Sequence, residues 1–244
     1  MGNNLMALAV IPGLLIIIYV YGKDKVEKEP IGLIIRLIVF GAISCIAAGY
    51  IESFEDSLLP EYPQGSLEYA LQTSFLEAAL VEEIVKFLAL RLGAWNHRSF
   101  NYRFDGVVYG VSAAVGFAIY ENIMYVATYG FQTAVVRAFT AVPLHAFCGV
   151  FMGVFFAYAK KASILGRGGT KNFFILLSLL VPMIIHGIYD TLAFLGTESS
   201  TCIQLACVVI LYICAISTIK RLSKADCHAG FYPRARVIEY DQNL

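Results

Sequence analysis

The sequence predicts an all-α, polytopic transmembrane bundle of about seven spans, and three observations carry that prediction. Hydrophobic residues make up 59 % of the 244 residues and charged residues only 15 %, against roughly 45–50 % and about 25 % in soluble domains. Apolar stretches of about 20 residues, the length that crosses about 30 Å of hydrocarbon, recur along the whole chain. Charge then alternates from one connection to the next, as it does when successive loops lie on opposite sides of a membrane.

The spans fall near residues 3–21, 31–51, 69–91, 106–129, 134–159, 173–195 and 202–219. The first lacks a basic segment before it, and its positive charges, Lys23, Lys25 and Lys28, follow it; it reads as a retained helix rather than a removable signal. Met6 stands where an N-myristoylation signal wants Ser or Thr, so that signal fails. The connections after the first, third and fifth spans and the C-terminal end hold nearly all the Lys and Arg, for example Arg91, Arg98, Arg103, Lys160, Lys161, Arg167, Lys171, Lys220 and Arg221. The connections after the second, fourth and sixth ("ESFEDSLLPEYPQGSLE", "YGFQT", "GTESS") hold none. The positive-inside rule then places the N-terminus outside and the C-terminus in the cytoplasm. One membrane domain covers residues 1–224, and residues 225–244 read as a short cytoplasmic tail.

Formal net charge is zero, so no basic bias points to nucleic acid; the expected surroundings are a lipid bilayer. The six cysteines show no CxxC pair or Cys/His cluster and read as small buried hydrophobes. Arg36 and Arg137, near span ends, read as snorkelling side chains. His97 and His228 read as solvent-exposed, and the acidic stretch 52–68 as an ordinary solvated connection.

The informative residues are the ionisable ones inside the spans, each costing on the order of +2.5 to +3.5 kcal/mol at the bilayer centre. The third span carries Glu82, Glu83 and Lys86, the fourth Glu121, the fifth His145, and the sixth His186 and Asp190. All lie within roughly 10 Å of the midplane at 1.5 Å rise per residue. Such groups face the bundle interior and pair with one another, so four consecutive spans are expected to enclose one polar chamber.

Glu82/Lys86, Phe117/Glu121, His145/Gly149 and His186/Asp190 are i,i+4 pairs that share a helix face. Asp190 is expected to orient His186. Pro143 and Pro182 each remove a backbone hydrogen bond near a histidine. Glu77 lies off the Glu82 face and receives no role.

Water-mediated peptide hydrolysis in a bilayer needs a base, an oxyanion donor and an acid for the leaving amine, and this set could supply them. The same carboxylates and imidazoles could hold a metal, although no HExxH is present. A proton-coupled transporter is a non-enzymatic alternative, since Glu/His/Asp chains relay protons. A scaffold binding a partner's helix through Gly106, Gly110, Ala114 and Gly149 is another.

The segments "EEIVK" (82–86), "DGVVYGVSAAVGFAIYEN" (105–122), "PLHAFCG" (143–149) and "HGIYD" (186–190) resemble, in the same order, the motifs of the PrsW intramembrane proteases, a bacterial branch of the superfamily that contains the CAAX-prenyl endopeptidases and the Abi proteins. The resemblance covers about residues 75–195. It implies a multi-pass protease of the bacterial cell membrane that makes the first, extracytoplasmic-side cut in a single-span anti-sigma factor, leading to release of an extracytoplasmic-function sigma factor under envelope stress.

Transferred onto this sequence, the resemblance implies catalytic Glu82, Glu83, Glu121, His145, His186 and Asp190, with Lys86, Phe117, Asn122 and Gly149 binding substrate or supporting them. Glu82 is expected to act as general base, Glu83 to support it, and His186 to donate toward the oxyanion. Either no cofactor is required, or zinc is held by members of the same six. Where the wider superfamily has His and HxxxN, this chain has Glu121 and Asp190, the usual PrsW pattern.

Overall fold

The computed structural model describes residues 3–228, and these form a helical bundle. In chain order the helices are α1 (Asn3–Lys23), α2 (Ile31–Asp56), α3 (Leu67–Leu71), a π-helical segment (Gln72–Leu80), α4 (Val81–Ala94), α5 (Asp105–Tyr129), α6 (Phe131–Phe139), α7 (Ala141–Ile164), α8 (Gly168–Leu195) and α9 (Glu198–Lys224). Among the described residues the only β pairing is an isolated bridge between Tyr102 and His228.

Among the described residues, six helical runs are long and apolar enough to cross a membrane: Leu5–Lys23, Ile31–Asp56, Asp105–Tyr129, Phe131–Ile164, Gly168–Leu195 and Glu198–Lys224. The third predicted span is present as the continuous run α3, π segment and α4, and its buried charges are what separate it from the other six. The fifth predicted span is two helices, because the backbone breaks at Thr140 (φ −120°, ψ −78°). Pro143 lies just inside the start of α7, where its missing N–H costs little. The carbonyl that this nitrogen would have engaged, that of Phe139, accepts from Tyr212 Oη at 3.4 Å.

Helix α5 is the centre of the bundle, buried continuously from Asp105 to Ala118, which suits a helix that is apolar all round. It meets α7 through interlocked small residues. A Cβ on Gly106, Gly110, Gly149 or Gly153 would strike a backbone carbonyl of the facing helix, so only glycine permits this approach. Gly106, Gly110, Ala114 and Gly149 are therefore consumed inside the molecule. This removes the idea that they form an open groove for a partner's helix, and it makes Gly149 a packing residue rather than a member of the polar site.

Segment 225–228 docks on the α4–α5 connection. Asp226 Oδ1 accepts the Phe104 N–H at 2.9 Å, the Cys227 carbonyl accepts from Arg103 N–H at 3.1 Å, and the exposed His228 ring stands edge-on to Tyr102. The rest of the predicted tail, 229–244, lies outside the described residues. Of the six cysteines only Cys148 is fully buried, and Cys202 and Cys214 are exposed on α9. The buried-hydrophobe reading fits that one position; on an outer helix of a membrane bundle a thiol faces lipid as readily as a Leu does. His97 is only partly exposed, its Nδ1 accepting the Ser99 N–H at 3.2 Å.

Candidate active site

Four helices each bring ionisable side chains to one buried point. From α4, Lys86 places its ammonium 2.8 Å from Glu82 Oε2 and 2.9 Å from Glu83 Oε1. Val81 and Val85 on the same helix pack against Ala48 and Phe117, which fixes the rotation of α4 and turns both carboxylates inward. Lys86 is completely buried, its ammonium 4.1 Å from the centre of the Phe117 ring. Its third polar contact is His145 Nδ1 of α7, at 3.0 Å. An ammonium can only donate, so Nδ1 accepts and Nε2 carries the proton. That nitrogen lies 2.9 Å from Glu121 Oε2 of α5.

His186 of α8 stands between two carboxylates, Nδ1 2.9 Å from Glu83 Oε1 and Nε2 3.0 Å from Asp190 Oδ2. Both nitrogens face acceptors, an arrangement that suits the doubly protonated ring. The two imidazoles meet edge to face at 5.1 Å. Glu82 Oε2 lies 3.9 Å from a nitrogen of each.

Glu82 and Glu121 line a cavity of about 500 Å³ with Cys45, Glu52, Glu77, Phe117 and Tyr125 among its walls. Glu83, His145 and His186 are nearly fully buried, behind the two cavity carboxylates. The structure thus brings Glu82, Glu83, Glu121, His145, His186 and Asp190 together with Lys86 and Phe117. Asn122 is one contact removed, donating to the Ala9 carbonyl at 3.0 Å and accepting from Arg137 Nε at 2.9 Å.

Two side chains depart from the sequence expectation. Arg137 does not snorkel: from the short helix α6 it reaches Glu121 Oε2 at 2.5 Å and covers the Tyr125 ring at 4.0 Å. The break at Thr140 frees α6 from α7 and lets its polar face turn toward the site. Glu77 faces the same cavity as Glu82. The two are five residues apart, off-face in an α-helix but close to one turn of the wider i→i+5 π-helix that runs to Leu80.

Residues 29–217 match the family model described as "PrsW family intramembrane metalloprotease". The chain belongs to the PrsW family. It is 33 % identical over 189 residues to the "Protease PrsW" of Geobacillus kaustophilus, covering 78 % of this chain and 79 % of the relative. With its counterpart from Oceanobacillus iheyensis it shares 32 % identity over 221 residues, 91 % of this chain and 97 % of that one. The Bacillus subtilis protein is 32 % identical over 186 residues, covering 76 % and 81 %. No solved structure matches. PrsW proteins are intramembrane proteases, so this chain is a multi-pass bacterial membrane peptidase, and the transporter alternative falls away.

The family description names a metal, and the PrsW residues here fit one in donor chemistry. Glu82, Glu83, His145 and His186 each offer a ligand atom, all four within 4.8 Å of one another. Oxygen and imidazole nitrogen donors suit Zn²⁺, and Glu83 Oε2 is buried with no hydrogen-bond partner. Three of the four residues share the Lys86 ammonium as their present cation.

Proposed function

We propose that this peptidase makes the first, extracytoplasmic-side cut in a membrane-anchored anti-sigma factor, using Glu82 as the general base. The observation that carries this reading is the position of Glu82. Its carboxylate is at once on the cavity wall and bonded to Lys86, so it can meet substrate while a buried cation holds it in place. The cavity walls come from the C-terminal ends of α2, α5 and α8 and from the π segment. Under the positive-inside reading these are the outer ends of the helices, which supports a cut near the outer surface. The anti-sigma factor as substrate rests on the motif resemblance.

In this mechanism water sits between Glu82 and Glu121. Glu82 takes its proton as the oxygen attacks the scissile carbonyl, and later returns it to the leaving amine. His186, held by Glu83 and Asp190, shares the Nε2–H that it gives Asp190 with the developing oxyanion; that nitrogen lies 3.9 Å from Glu82 Oε2. His145 and Arg137 hold Glu121 in place, and Lys86 balances Glu82 and Glu83. The ligand cluster favours a second reading, in which Glu82, Glu83, His145 and His186 would hold a zinc ion that would supply Lewis-acid chemistry.

The test is co-expression of a tagged single-span anti-sigma factor with wild type or Glu82→Gln at matched membrane levels. A shorter fragment with wild type alone is expected. Cleavage by both removes Glu82 from the centre of the chemistry, and uncut substrate with both, across the cell's anti-sigma factors, removes this substrate class.

A further inference from the structure

A second group of buried acids lies at the other end of the bundle. Asp24 and Glu29 belong to the α1–α2 connection, and Asp105 begins α5. Their side chains are 2 %, 2 % and 0 % exposed. Each offers one carboxylate oxygen, and the three oxygens lie within 4.8 Å of one another. None of this group touches the Glu82 cluster.

Part of the group has ordinary structural duties. Asp105 Oδ2 accepts the N–H groups of Asn101 and Tyr102 at 2.9 and 2.6 Å, closing the turn before α5. Glu29 Oε2 accepts from Tyr109 Oη. The remaining oxygens have no such duty. Asp24 Oδ1 and Oδ2, Glu29 Oε1 and Asp105 Oδ1 are all buried without a hydrogen-bond partner.

Asp24 is the decisive member, because its whole carboxylate is buried, unpartnered and turned into the cluster. The ammonium of Lys28, the cation that acts most on Asp24, donates to the Tyr21 carbonyl at 2.6 Å rather than to the carboxylate. Asp226 adds a further negative charge from the docked segment 225–228. Buried carboxylates are found paired, protonated or bound to metal, and among the described residues no side-chain cation is hydrogen-bonded to any of the three.

We propose that Asp24, Glu29 and Asp105 form a site for a hard divalent cation, Ca²⁺ or Mg²⁺, clamping the α1–α2 connection onto the start of α5. The ligands are all oxygen, as Ca²⁺ and Mg²⁺ require. The site joins three segments distant in sequence and leaves the peptidase cavity untouched. Its occupant stabilises only the folded chain, since the ligands separate on unfolding.

The experiment uses the full chain purified in detergent and stripped with chelator. Thermal unfolding is followed while CaCl₂ or MgCl₂ is added to wild type, Asp24→Asn, Glu29→Gln and Glu82→Gln, and bound ion is counted by elemental analysis. Terbium serves as a calcium substitute, with its luminescence excited through Tyr109. Wild type and Glu82→Gln are expected to bind one ion per chain and to gain several degrees in Tm, about the size that saturating ligand confers. Asp24→Asn is expected to lose both effects while remaining folded, because its carboxylate makes no hydrogen bond. Glu29→Gln keeps an acceptor for Tyr109 and is expected to bind at least tenfold more weakly. Equal occupancy in Asp24→Asn, or no cation-dependent change in wild type, overturns the proposal and leaves protons as the occupants. Loss of the ion in Glu82→Gln alone would place it in the other cluster and overturn the proposal equally.

Discussion

The Lys86 ammonium lies 3.0 Å from His145 Nδ1, across the gap between α4 and α7, while also contacting Glu82 and Glu83 on its own helix. A single buried cation therefore holds both carboxylates and fixes the tautomer of a histidine 59 residues away. Removing one partner of a buried ion pair costs about 3–5 kcal/mol, because the other charge is left unpaired. Lys86→Met is expected to lower the Tm sharply and to abolish cleavage. Adding Glu82→Gln to Lys86→Met is expected to recover part of the Tm and none of the cleavage. Additive losses of stability in the double variant would contradict the coupling.

Arg137 and Glu121 form the next test. Arg137 Nε bonds Asn122 while its outer nitrogen bonds Glu121, so one side chain sets two neighbours. Arg137→Gln is expected to lower the cleavage rate at least tenfold, about the effect of 1.4 kcal/mol. Arg137→Lys should recover only part, since an ammonium cannot reproduce the fork. A wild-type rate in Arg137→Gln would return this residue to the membrane surface.

Metal dependence separates the two catalytic readings. With Glu82 as base and Lys86 as the buried cation, cleavage is expected to survive exhaustive chelation, with zinc well below one per chain. Activity that is lost on chelation and returns with Zn²⁺ alone would favour the metal reading.

The contact between α5 and α7 is equally open to test. Gly110→Val drives a side chain into the Gly149 carbonyl, and overpacking of this kind costs about 1–3 kcal/mol or more. Poor membrane accumulation and a lower Tm are expected. Gly22 near the end of α1 has nothing within 4 Å of a new Cβ, so Gly22→Ala is expected to be neutral or slightly stabilising.

Burial pushes the Asp24 carboxyl up to about 6 and that of Glu29 up to about 7. The folded chain then holds these protons more tightly than the unfolded chain, so stability falls as pH rises from about 4 through 7. In chelator the Tm is expected to drop between about pH 5 and pH 8, and Asp24→Asn is expected to flatten the drop. A Tm that rose over the same range would contradict the burial of these acids.

The sequence by itself determined the class of fold and most of the site. Hydrophobic length and the cost of placing charge in lipid are one-dimensional properties. Glu82, Lys86, Glu121, His145, His186 and Asp190 could therefore be selected as groups that must converge. Tertiary structure decided which partner each one takes. Arg137 joins Glu121 because the chain breaks at Thr140, and Glu77 shares the cavity with Glu82 because a π-helical turn shifts the helix face between them. Both depend on local departures from α-helical geometry, and a uniform 3.6-residue period carries no sign of either. The acids at 24, 29 and 105 look like separate loop charges in the sequence. Only the packing of α1, α2 and α5 removes them together from water, and buried carboxylate oxygens without hydrogen-bond partners are what the proposed site rests on.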